Sequence, residues 1–149
     1  MNSESLRNSL KQFDSGNPWK PKISKSKAIL DREYAELSEE EIRTAVKAVR
    51  KDWAVYFGIP VAEIQSLFED QSFDCDDFAL LMQADMIKYF RKLNEKAGKA
   101  KPIFRCVIDT FTGPHAIVMA KANDWIFIEP QDGTLRSNNE QSYKILAVT

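Results

Sequence analysis

The sequence predicts an α+β fold, with long helices in the first two thirds and an antiparallel sheet afterwards. Three observations carry this. Apolar residues recur at helical spacing over 39–57. A second dense helical pattern begins at Cys75. After Pro102 the chain turns to short β-branched and aromatic runs punctuated by turn residues. At 149 residues, 44% hydrophobic and 29% charged, the chain is one ordinary globular domain. It is long enough to bury roughly 70% of its unfolded surface.

Residues 1–37 are polar and mildly basic, with Pro18 and Pro21 bracketing Trp19. They read as an irregular arm with a short helix near 5–13, draped over a single domain at 38–149. The helix at 39–57 opens on a capping-box pair, Ser38 and Glu41. Ile42, Ala45, Val46, Val49, Trp53, Tyr56 and Phe57 form its apolar face, and Gly58 with Pro60 supplies the stop. Pro60 also suits the first turn of a short helix reaching about Phe68.

The next helix runs from Cys75 to about Glu95, with Asp74 as N-cap and Asp76 and Asp77 in its first turn. Charge gives its direction. Residues 61–85 hold seven acids and no Lys or Arg, whereas residues 88–105 hold seven bases and one acid. That order complements the helix macrodipole. Phe78, Leu81, Met82, Met86, Tyr89, Phe90 and Leu93 predict a mostly buried element. Strands are expected at 103–109, 115–122, 125–129 and 143–148, with turns at Asn123-Asp124 and Gln131-Asp132-Gly133.

Composition excludes several functions. Twenty-one Lys and Arg against twenty-two Asp and Glu leave a net charge of -1, which gives no general attraction to nucleic acid or an acidic membrane. The basic run at 88–105 is explained by a helix C-terminus. No apolar run approaches the roughly 20 residues of a membrane span. The first residues show no basic and apolar secretory pattern, and two cysteines make no disulfide framework. A reduced, cytoplasmic protein is the expectation.

Three residues carry candidate chemistry. Cys75 starts a helix, His115 is the only histidine and opens a strand, and Glu129 closes the following strand. Thiol catalysis needs this set. The thiolate is the nucleophile, and a helix start favours the anion. An imidazolium stabilises the thiolate and then protonates the leaving group. A carboxylate orients the ring and stabilises its charged form. Cys106, mid-strand, reads as core. Asp74, Asp76 and Asp77 surround Cys75 with negative charge, which opposes a thiolate unless something positive offsets it. His115 or a bound Ca²⁺ would do so, since clustered acids are suitable Ca²⁺ ligands. Strand register supplies a further condition. A tight two-residue turn at Asn123-Asp124 would place Glu129 opposite Val118, on the wrong face for His115. The triad requires a longer turn or a bulge; otherwise Asn123, Gln131 or Asp132 becomes the orienting group.

At these residues the sequence resembles the papain-like and transglutaminase-like cysteine proteinase superfamily. Phe73-Asp74-Cys75-Asp76-Asp77-Phe78-Ala79 is similar to the nucleophile segment of bacterial transglutaminase-like cysteine proteinases, and to the protease-like C-terminal domain of fungal agglutinins. His115-Ala116, then Trp125, then Glu129-Pro130 is similar to the transglutaminase-like pattern of His-Ala, a strand, Trp, and an acid before Pro. The resemblance covers about residues 70–133. It implies a central helix bearing Cys75 packed on an antiparallel sheet bearing His115 and Glu129. It implies cysteine peptidase or related acyl-transfer chemistry on a protein or peptide substrate. By the same resemblance, Asp74 and Asp76 stand where the bacterial family binds calcium. Gln71 is the oxyanion-hole candidate beside the backbone N–H of Cys75.

Two other functions compete with a thiol hydrolase. One is a catalytically inactive domain that binds proteins, with Trp19 and Trp53 at the interface. The other is a metal-binding domain built on Asp74, Asp76 and Asp77, which lack the spaced twelve-residue set of an EF-hand. An activity-based thiol probe separates the hydrolase from both.

Overall fold

The structure, a computed structural model, describes residues 1–16, 33–69, 73–93, 98–137 and 144–149, with the backbone alone over 10–16. Among these are four helices: α1 (Ser3–Gly16), α2 (Glu39–Phe57), a 3-10 helix (Val61–Leu67) and α3 (Cys75–Lys92). Five strands follow: β1 (Ile103–Thr110), β2 (Gly113–Lys121), β3 (Trp125–Ile128), β4 (Leu135–Ser137) and β5 (Lys144–Val148). They form one sheet in the order β4-β3-β2-β1-β5. Every neighbouring pair is antiparallel. The fold is α+β.

Capping residues set the helix boundaries. Ser38 and Glu41 form the expected capping box, and α2 stops at Gly58, whose φ of 68° is the left-handed conformation that glycine adopts without strain. The segment after Pro60 is 3-10 rather than α, with Pro60 just outside it. The described start of the N-terminal arm is more regular than expected. In place of a short helix at 5–13, α1 begins at Ser3, because the Asn2 side chain accepts from the Ser5 N–H at 2.7 Å. Pro18, Trp19 and Pro21 lie outside the described residues.

The sheet separates two apolar layers. On one face Ala116, Val118, Ala120, Ile126 and Ile128 pack against Ile42, Val46, Val49 and Trp53 of α2 and Phe78, Met82, Met86 and Phe90 of α3. On the other, Ile117, Met119, Trp125 and Phe127 pack with Phe104, Cys106, Ile108 and Tyr34, and Leu6 of α1 covers them. Fully burying one such side chain contributes about 1.5–3 kcal/mol, so both layers are substantial. The two sides of the sheet follow from strict alternation along β2 and β3. Tyr56 departs from the expected apolar face of α2: it is 83% exposed. Trp53, expected at an interface if the domain only binds proteins, is instead core, and its Nε1–H donates to Asp85 Oδ2 at 2.8 Å.

The β2–β3 connection sets the register at the end of the sheet where His115 stands. The β2–β3 turn holds three residues, since Lys121 pairs with Trp125. The register runs on to Val118 opposite Ile128, and one further step sets Glu129 opposite Ile117, on the face of His115. β4 is an element that sequence reading missed. Three residues of mixed polarity offer too little alternation to read, and they become a strand by pairing with β3.

Candidate active site

Cys75 is the first residue of α3, and an aromatic pair fixes where that helix starts. Phe73, just before the N-cap, packs on Phe78 in a tilted arrangement with ring centroids 4.6 Å apart. These are the two positions of a hydrophobic staple. Phe73 also meets Phe57 of α2 at 6.1 Å, and Phe78 meets Trp53 at 6.2 Å. The staple sets the entry angle of the chain, and so the place of the thiol. Asp74 completes the start: its carboxylate accepts from the Asp76 N–H at 2.9 Å, and Asp77 accepts from the Asp74 N–H at 3.2 Å. Gln83 ties α3 to β1, donating to the Ile103 carbonyl at 3.1 Å.

The half-buried Cys75 meets β2 near its start. The Ala116 N–H donates to Cys75 Sγ at 3.5 Å, so the sulfur abuts the peptide that follows His115. The imidazole is held from the other side. His115 Nε2 lies 2.6 Å from Glu129 Oε2, both side chains 27% exposed. Charge-assisted hydrogen bonds of this length are roughly twice as strong as neutral ones. The bond to Glu129 raises the His115 pKa above its ordinary 6.5 against the opposing effect of burial, and the carboxylate's charge adds to the rise. The ring's Nδ1 is the nitrogen that Glu129 leaves open.

The pair stands on the sheet side that carries Ile117 and Phe127, whereas Cys75 packs with the α2–α3 layer. All three residues lie at one end of the sheet: Cys75 abuts the Ala116 amide of β2, His115 is the third residue of β2, and Glu129 follows the last residue of β3. Behind the ring is a cavity of about 130 Å³, with Ile108, Ile117 and Phe127 as apolar wall and Thr110, Thr134 and Arg136 as polar lining.

Glu129 is itself anchored. Its Oε1 accepts from the Gln131 N–H at 3.3 Å. Its backbone N–H donates to the Thr134 carbonyl at 2.9 Å, and its carbonyl accepts from the Gly133 N–H at 2.8 Å. Asn123 stands in the β2–β3 turn, where its carbonyl accepts from Lys121 Nζ at 2.6 Å. Asp132 caps Thr134 N–H at 2.7 Å. Glu129, among these candidates, is the group on the imidazole.

The acids around Cys75 have partners in the fold. Besides its capping bonds, the acidic turn meets Arg105 of β1, whose guanidinium lies 3.7 Å from Asp76 Oδ1. That positive charge was missed in the sequence, because β1 and α3 are adjacent only in space. Both side chains are partly exposed, and such pairs contribute at most about 1 kcal/mol. Among the described residues no group of three His, Cys, Asp or Glu side chains converges as a cation cradle. Asp74 is engaged in capping and Asp76 faces Arg105, and the chemistry proposed for the site uses no cation. The capping account expects a flat melting temperature from micromolar to millimolar Ca²⁺, relative to chelated protein. A rise with concentration would place a cation here. Gln71 lies outside the described residues.

Cys106 is fully buried, and burial pushes its thiol well up. Iodoacetamide on native protein at neutral pH should therefore modify Cys75 and leave Cys106 intact until the protein is denatured. Preferential labelling of Cys106, read by peptide mass, would overturn the site.

No family model matches the sequence, and no curated protein matches it. Solved structures do. The fold is similar to that of a lectin from Polyporus squamosus, solved with the human-type influenza-binding epitope Neu5Aca2-6Galb1-4GlcNAc. The TM-score is 0.66 at 21% identity over 95% of this chain and 48% of the lectin chain. It is also similar to the PSL1a-E64 complex, with a TM-score of 0.53 at 23% identity over 75% of this chain and 38% of that one. The chain thus spans about half the length of the lectin. These neighbours correct the superfamily expected from sequence. The motif resemblance pointed to papain-like and transglutaminase-like cysteine proteinases, whereas the structural likeness is to a fungal lectin, and at this identity it is a likeness of fold alone.

Proposed function

We propose that the chain is a cysteine-dependent hydrolase of peptide or amide bonds, with Cys75 as nucleophile, His115 as acid and base, and Glu129 as orienting carboxylate. The observation that supports it best is the pairing of two contacts on adjacent residues of β2. The thiol sulfur is 3.5 Å from the Ala116 amide, and the His115 imidazole is clamped by Glu129 at 2.6 Å. The PSL1a neighbour was solved as a complex with E64, which favours a thiol-directed site here.

Glu129 on Nε2 leaves Nδ1 of His115 to take the Cys75 proton, giving a thiolate–imidazolium pair. Sγ attacks the carbonyl carbon and a C–S bond forms. The oxyanion faces the N–H groups at the start of α3, where the macrodipole favours negative charge. The imidazolium gives its proton to the leaving nitrogen as the C–N bond breaks. A water then enters, His115 takes its proton, and hydroxide cleaves the thioester to release the acid and regenerate the thiol. An amine in place of that water would make the same intermediate a transamidation.

A thiol-directed probe tests this. E64, whose epoxide is opened by a thiolate, should add covalently to one site, at Cys75, faster in native than in His115→Ala protein. Equal rates in both would leave the thiol without an activating base and sink the hydrolase. A second reading, a protein-binding module, is favoured by a groove of about 620 Å³ between α2 and α3, lined by Tyr56, Phe57, Leu81 and Tyr89 among others. A native protein unreactive to E64 would turn attention there.

A further inference from the structure

We infer that Arg50, a residue of α2 remote from the thiol in sequence, is the positioning residue that holds Glu129 on His115. Arg50 Nη2 donates to two carbonyls, that of Gln131 at 2.9 Å and that of Val61 at 3.2 Å. The first belongs to the turn that carries Glu129; the second begins the 3-10 helix after α2. One guanidinium therefore fastens the Glu129 turn to the helical layer.

The turn is shaped to receive it. Gly133 has a φ of +79°, and a Cβ there would stand 2.8 Å from Arg50 Cδ and 2.9 Å from its Nη1. Glycine is required twice, for the left-handed backbone and for the close approach of the arginine stem. Gly133 in turn donates to the Glu129 carbonyl at 2.8 Å, and the Gln131 N–H donates to Glu129 Oε1 at 3.3 Å. The path from Arg50 to the carboxylate is short and made of named contacts. Arg50 Nε is buried without a partner, and burial lowers the pKa of the guanidinium while the charge of Asp132 raises it. An arginine carrying that desolvation is better explained by a carbonyl clamp than by surface solvation. Groups that hold a reacting side chain fix its orientation, and a misplacement of about 1 Å is costly.

This inference deepens the hydrolase reading and rests on it, but its test reads the imidazole without turnover. His115 is the only histidine, so its ring proton is a single resolvable NMR resonance whose midpoint can be followed with pH. The charged groups around the ring are Glu129 after β3 and Arg136 of β4, which line the same cavity; the Cys75 sulfur abuts the next peptide of β2. R50M keeps the stem against Gly133 and removes the clamp. The His115 midpoint should fall by at least about half of the E129Q shift, with kcat/KM falling roughly ten- to a hundredfold. R50K, with its charge but no fork, should fall in between on both. If R50M proves poorly folded, R50K carries the test alone. An unchanged midpoint in folded protein would make Arg50 merely structural. A raised one would make it a through-space charge. Either overturns the clamp. A lowered midpoint in protein that E64 does not label would keep the clamp and remove the hydrolase.

Discussion

Cys75→Ala should leave less than about 10⁻⁴ of the native kcat/KM on a peptide substrate found by library screening, because the covalent route disappears. His115→Ala should lose a comparable factor, since the thiolate then lacks both its counter-charge and its proton donor. The double variant should be scarcely worse than either single one. Residues that act as a unit are grossly non-additive, and that pattern separates a catalytic pair from two independent structural effects. Fold should be spared. Cys75 is half-buried at a helix start, and His115 is near a strand end, partly exposed. Far-UV circular dichroism and melting curves check this. Native-like turnover in Cys75→Ala would end the proposed mechanism.

Glu129→Gln is the second large effect, a loss on the order of 10²- to 10⁴-fold in kcat, depending on whether the amide fixes the wrong tautomer. Its pH signature is specific. The Glu129 bond raises the His115 pKa above 6.5 against burial, so in native protein the imidazolium persists to higher pH and the alkaline limb of the rate profile lies higher. In Glu129→Gln that limb should move to lower pH. Stability follows the same sign. A folded pKa above the unfolded one contributes stability that is fully present below about pH 6.5 and is lost as pH rises through the folded value. The stability difference between native and Glu129→Gln protein should thus be largest on the acid side of the window and shrink as pH rises through the native midpoint. A difference that grows with pH instead would show that Glu129 does not stabilise the imidazolium.

Much of the helical layer is a local property of the sequence. Ser38, Glu41 and Gly58 bound α2 because capping involves residues within one turn of each other. Asp74 bounds α3 for the same reason. The sheet was legible where alternation is long, in β1 and β2, and illegible in the three residues of β4, which only β3 makes a strand. Cys75, His115 and Glu129 stood out by residue type and by position at element ends. A condition on the turn between β2 and β3 was also derivable, because strand faces alternate with a period of two. The turn's real length was not, since Asn123-Asp124 suits both lengths, and the Lys121–Trp125 pairing is settled by burial of Trp125 and Phe127 together.

Tertiary structure alone decided the rest. The staple of Phe73 on Phe78 was written locally, but its seat against Phe57 and Trp53 belongs to helix packing. Arg105 beside Asp76, and Arg50 beneath the Glu129 turn, join residues 29 and 81 positions apart. Arg50 had a faint local sign, a charge four residues after Val46 on the margin of an apolar face, yet nothing local said what it would hold. The physical reason is range. Caps, staples and strand alternation are set by neighbours along the chain, whereas a carbonyl clamp or a counter-charge exists only once burial has brought two elements together and left a polar group to satisfy.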